Sequence, residues 1–178
     1  MRTAEELGRP IARKFLMFSL LLLLVIPGGG AAAESPEVDG SVKDAIASAE
    51  AFLQAFTTKD MEKVGAFFAP GAVVQRARLG EAAPEIASFG VAEWLAEAGE
   101  SIDSVEDFRI EPLGSTGLSF GAGVTVSIHF RATGSVPGGT FTNDGVDSFS
   151  FAEIDGSWKI VLYNSMEKLT FKPNAPDQ

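Results

Sequence analysis

Near residue 103 the spacing of apolar side chains changes from helical to alternating, and this change restricts the fold more than any other feature of the chain. Ahead of it, Val42, Ala45, Ile46, Ala49, Phe52, Leu53 and Phe56 recur every three or four positions, the repeat that gathers side chains on one face of a helix. Ser41, with Asp44 three residues on, resembles a capping box at the start of this helix. Asp60 is placed to cap a second, short helix through Phe68, which Pro70-Gly71 stops. Ala72 to Leu79 reads as a strand, a loop carries Gly80 and Pro84, and residues 90–100 form a third helix with Val91, Trp94 and Leu95 on one side. Beyond it, Val105–Leu113, Leu118–Ala132, Phe141–Glu153 and Trp158–Phe171 are strand-like runs separated by Gly, Pro, Asn and Asp. Helices first and a meandering sheet after them make the class α+β, with the helices packed on an antiparallel or mixed sheet.

The last two runs are joined by Asp155-Gly156, residues that tolerate positive φ and suit the two central positions of a tight hairpin. Counting outward from that turn pairs Glu153 with Trp158, Phe151 with Ile160, Phe149 with Leu162 and Asp147 with Asn164, all on one face. An apolar wall ending in the polar pair Asp147 and Asn164 is then the expected lining of a pocket or the rim of the core.

Before the helices, Arg13-Lys14 precede the 12-residue, largely apolar run Phe15–Ile26, followed by Pro27, three glycines and Ala31-Ala32-Ala33. This is the pattern of a signal peptide, too short for the roughly 20 residues of a spanning helix, with small residues for cleavage before Glu34. The expected organisation is a signal peptide over 1–33, a linker over 34–40, one domain over 41–172 and a tail over 173–178, in a protein exported to the periplasm or the medium without a lasting membrane anchor. No cysteine is present, so neither disulfides nor a lipid-modified cysteine would hold the exported chain. Removal of the signal takes away four basic and two acidic residues and leaves a formal charge of −12. Such a charge excludes a broad basic footprint for nucleic acid or anionic lipid.

The order helix, helix, strand, helix and long strands, with AFLQAFTTKDMEKVGAFFAPGAVV near the front and DGSWKIVLYNSM near the back, resembles the nuclear transport factor 2-like superfamily, in particular its SnoaL-like and ketosteroid isomerase-like members. The resemblance runs from about Ser41 to Lys168 and implies a curved sheet wrapped on the helices as a cone, whose open end is often a ligand pocket. It implies Trp158, Ile160 and Leu162 inside the cone, and a homodimer formed through the outer sheet face. Many SnoaL-like proteins carry histidines four and six positions after this tryptophan, where Leu162 and Asn164 stand here. The single tyrosine, Tyr163, falls on the row opposite Asn164.

Candidate residues for proton transfer are therefore Asp147, Asn164 and His129, the one histidine, although His129 alternates with Thr125, Ser127 and Arg131 on a polar row. Trp158, Phe149, Phe151, Leu162 and Trp94 are the candidates for an aromatic cavity holding a small apolar ligand. No metal site and no cofactor are expected: one histidine without cysteine does not build a usual zinc site, TNDGVDS lacks the spacing of a calcium loop, and no phosphate loop occurs. Arg76 and Arg78 on the first strand read as neutralisers of an acidic surface. Two functions stay open: a small-ligand binding or assembly module, or an isomerase, dehydratase or cyclase acting on an apolar carbonyl compound through Asp147.

Overall fold

The computed structural model describes residues 39–79 and 83–174. The expected signal peptide, most of the linker and the extreme C-terminus lie outside the described residues. Helix α1 (Gly40–Thr57) buries Val42, Ala45, Ala49, Phe52 and Leu53, the face that the helical repeat picks out. Its cap is Asp39, whose Oδ1 accepts from Ser41 N at 3.2 Å, so Ser41 is a first-turn residue and not the cap. Asp60 does cap α2 (Met61–Ala66), accepting from Lys63 N at 3.0 Å. That helix ends before Phe68, because Phe68 already pairs with Ile160 as the start of strand β1 (Phe68–Arg78). Pro70-Gly71 thus interrupts a strand instead of ending a helix: Gly71 takes φ +77°, and regular pairing resumes at Val73.

Residues 85–90, read as loop, form β2 (Glu85–Gly90), paired antiparallel with β1. Helix α3 (Val91–Asp103) buries Trp94, Ala98 and Ile102. The four long strands β3 (Glu106–Phe120), β4 (Gly123–Val136), β5 (Gly139–Ile154) and β6 (Ser157–Pro173) follow as a meander. The six-stranded order is β2-β1-β6-β5-β4-β3, antiparallel throughout except for the parallel β1–β6 pair. The sheet is therefore mixed, curved and unclosed. Val124, Val126, Ile128, Phe130 and Ala132 of β4 are buried on the concave side, against the helices. His129 and Arg131 lie exposed on the convex side.

The β5–β6 hairpin turns where expected, with Asp155 at φ 51° and Gly156 at φ 72°. Glu153 opposes Trp158 and Phe151 opposes Ile160. The register then shifts by one, because Val161 is an extra residue on β6: Ser150 opposes Leu162, Phe149 opposes Tyr163, and Asp147 opposes Ser165. Asn164 faces Ser148 and not Asp147. A one-residue slip exchanges the two faces of a strand, so Tyr163 and Ser165 enter the cone while Leu162 and Asn164 leave it.

Candidate functional site

The concave face of β5 and β6, with α1, α3 and β1, encloses a cavity of about 350 Å³. Most of its wall is apolar. Trp94 of α3 is 5% exposed and stands with its ring centroid 6.3 Å from Phe52 and 5.4 Å from Tyr163. Phe130 and Phe141 close the side formed by β4 and β5.

Into this wall the bulge at Val161 directs a polar row. Tyr163, Ser165 and Glu167 alternate along β6 beside Asp147 and Asn143 on β5, with Gly145 between the latter two. Gly145 has a steric cause: a Cβ there would lie 2.7 Å from the Phe130 ring and 2.5 Å from the Met166 carbonyl oxygen. Asp147 is the one buried charged residue among the described residues, at 3% exposure, and its Oδ1 has no hydrogen-bond partner. Burial pushes its pKa from 3.8 to about 7, against the opposing pull of the Ser165 and Tyr163 hydroxyls, while the Glu167 charge adds a smaller upward push. Tyr163 is driven well above its usual 10, by burial first and by the neighbouring Asp147 carboxyl next, so it stays a neutral hydroxyl that can donate.

Toward the mouth, Arg78 Nε donates to Glu167 Oε1 at 3.1 Å and Asn143 Nδ2 donates to Glu167 Oε2 at 2.6 Å. Arg76 donates to Glu97 Oε1 at 2.7 Å and lies over the Phe89 ring, 5.2 Å from its centroid. Arg76, 17% exposed, thus belongs to the cavity wall, while Arg78, 53% exposed, stands at its rim.

Of the residues selected from sequence, Asp147 and Trp94 line this cavity. Phe149 and Phe151 are packed core behind it, 0% and 2% exposed. Leu162 and Asn164 are carried to the convex side by the bulge, so Asp147 and Asn164 are not a pair. Trp158 is half-buried and borders a separate shallow cleft with Lys63, Ser157 and Lys159. His129 lies on the opposite, exposed face of β4 from the cavity, on the row that the alternation gave it. Sequence reasoning missed Tyr163, Ser165, Glu167 and Asn143; the one available cue was the unbroken apolar run Ile160-Val161-Leu162-Tyr163, which interrupts alternation and signals a bulge. Among the described residues no three His, Cys, Asp or Glu side chains converge as metal ligands, and no helix is long and apolar enough to cross a membrane.

Comparison with known proteins places this geometry. The profile of the SnoaL-like domain matches residues 49–162. No curated protein matches the sequence. Similar solved structures include a protein of the NTF2-like family from Streptomyces avermitilis proposed to be a dehydratase, with TM-score 0.59, 16% identity, and coverage of 76% of this chain and 96% of that one. A ketosteroid isomerase-like protein from Erwinia carotovora atroseptica superposes with TM-score 0.55 at 20% identity, covering 72% of this chain and 97% of that one. A hexachlorocyclohexane dehydrochlorinase, LinA type 2, gives TM-score 0.59 at 10% identity, with 76% and 90% covered. At these identities the structural likeness establishes the fold, and the profile match over most of the domain adds the family. The chain therefore belongs to the SnoaL-like family, and its fold is that of the NTF2-like proteins.

Proposed function

We propose that this protein binds a small, flat, largely apolar molecule in the cavity, with Asp147 as its polar anchor. The observation that carries the reading is the orphan Oδ1 of Asp147, a buried oxygen on a residue that lines an aromatic cavity. A buried polar atom without a partner costs about 1–3 kcal/mol, and a ligand that supplies the missing partner recovers that cost. Native mass spectrometry of the protein purified from its own cells tests this. A co-purifying small molecule retained by the wild type and lost from Asp147→Leu is expected; an identical ligand-free spectrum for both contradicts it.

A second reading, proton transfer, is favoured by one further observation. A carboxyl titrating near 7 exists in both protonation states at neutral pH, as a general acid or base requires. Asp147 would then take a proton from a carbon beside a carbonyl and return it elsewhere on the same molecule, with the Tyr163 hydroxyl donating to the oxygen on which charge develops. Exchange of deuterium from solvent into the bound molecule, abolished in Asp147→Asn, separates catalysis from binding. The relatives named as a dehydratase, an isomerase-like protein and a dehydrochlorinase show that the fold accommodates such chemistry, without assigning one here.

Export belongs to the same proposal and rests on the sequence pattern of residues 13–33. The N-terminus of protein recovered from the periplasm or medium is expected within a few residues of Glu34, and a chain beginning at Met1 in the cytosol contradicts it. A homodimer through the convex sheet face is likewise proposed. Its support is an uncharged row across five strands, Gln75, Asn164, Ser148, Ser127 and Thr116, on a chain of net charge −10. Sedimentation equilibrium giving the monomer mass would remove it.

A further inference from the structure

A second residue of the cavity lining carries a buried oxygen without a partner, Oδ1 of Asn143, and the identity of that atom is fixed by its neighbours. The two ends of an asparagine amide look alike, and which is oxygen follows from the hydrogen bonds around it. Here the other end sits 2.6 Å from Glu167 Oε2. Glu167 is a carboxylate held by Arg78 through its second oxygen, so it accepts and does not donate. The amide nitrogen must therefore face Glu167, which leaves the carbonyl oxygen of Asn143 turned away from it, buried and unpaired.

Asn143 and Asp147 lie on one row of β5, with Gly145 between them. Four residues of strand separate their backbones by about 13 Å at roughly 3.3 Å per residue, so a single small group does not serve both side chains. The charged groups nearby are already matched: Arg76 is engaged by Glu97 and Arg78 by Glu167. Each arginine's charge is thereby balanced by a glutamate, and Asp147 and Glu167 would repel an anion.

From this we infer that the ligand carries two hydrogen-bond donors set apart on an apolar frame, one for Asn143 Oδ1 and one for Asp147, and that carboxylates are rejected. Hydroxylated or amino-substituted fused rings fit this description; a purely apolar molecule, or one whose polar groups only accept, leaves the Asn143 oxygen unpaired. The inference rests on the cavity being the ligand site and adds to it the polarity of the ligand. A site built to pair with a donor discriminates strongly against analogues that lack it, because the site's own buried group is stranded.

The test uses three rigid probes of one shape: 2,6-dihydroxynaphthalene, 2,6-dimethoxynaphthalene and naphthalene-2,6-dicarboxylate, titrated calorimetrically into the full mature chain, with Asn143→Leu as the comparison. The diol is expected to bind at least about 10-fold more tightly than the dimethyl ether, and the dicarboxylate not measurably. In Asn143→Leu the advantage of the diol over the ether should shrink by about 10-fold. That ratio is read within one variant, so altered stability of Asn143→Leu does not mimic it. Equal affinity for diol and ether, or tight binding of the dicarboxylate, overturns the inference while leaving the cavity as a binding site. Failure of all three to bind overturns both this inference and the binding function on which it rests.

Discussion

Asp147 places a carboxyl where its ionised form is poorly solvated, and the consequence is a stability that depends on pH in a defined direction. Its folded pKa, about 7, lies above the ordinary 3.8, so the folded chain holds this proton more tightly than the unfolded chain does. The stabilisation is complete below about pH 4, declines as pH rises, and is lost above about pH 7. At about 1.4 kcal/mol per pKa unit the total is at most about 4 kcal/mol. Asp147→Asn keeps the shape and removes the ionisation. In urea unfolding at pH 8 it is expected to exceed the wild type in stability by about 1–3 kcal/mol, and at pH 4 to differ by less than about 1 kcal/mol. A variant less stable than the wild type at both pH values would show that the Ser165 and Tyr163 hydroxyls hold the carboxylate more strongly than burial opposes it. Tyr163 acts on the same group in the other direction, since its hydroxyl lowers the Asp147 pKa. Tyr163→Phe should therefore move the midpoint of the Asp147 carboxyl, followed by carbon NMR, above that of the wild type; a downward move contradicts this account.

At the scale of elements, the two tryptophans separate core from surface. Trp94 is nearly fully buried between α3 and the sheet, and Trp94→Ala should cost about 3–5 kcal/mol in chemical denaturation. Trp158 is half-buried beside Glu153, and Trp158→Ala should cost roughly half as much. Equal losses would mean that the base of the hairpin is as tightly packed as the cavity wall. Helices α1 and α3 and the alternation of β4 were legible because each keeps one period over many residues, whereas the run Leu118–Ala132, read as one strand, is divided at Gly121 into the end of β3 and most of β4. The turn at Asp155-Gly156 was legible from its chemistry. What could not be counted from the turn was the extra residue at Val161, since Ile160 to Tyr163 are all apolar and either face accepts them. That single insertion decides that Tyr163 and not Asn164 stands near Asp147. Strand β2 was hidden for a different reason: six residues after Gly80 and Pro84 form a strand because β1 offers them an edge, which no local pattern announces. Arg76 and Arg78 read as surface charges because their partners, Glu97 and Glu167, come from elements 21 and 89 residues away.

For the whole molecule, the curved sheet serves as a wall whose inner face changes character along its length, from the packed Phe149 and Phe151 to the polar row of Asp147, Asn143 and Glu167. The helices cover the apolar part and leave the polar part facing a cavity instead of bulk water. A scaffold of this kind positions a few polar groups on rigid strands, where they hold their geometry better than on loops. The central claim is that the space around Asp147 receives a ligand. A crystal structure of the mature chain grown with 2,6-dihydroxynaphthalene tests it most directly. The account predicts the rings against Trp94 and Phe130, with one hydroxyl within about 3.2 Å of Asp147 Oδ1. A cavity filled by water alone, or the probe seated only in the cleft beside Trp158, would contradict it.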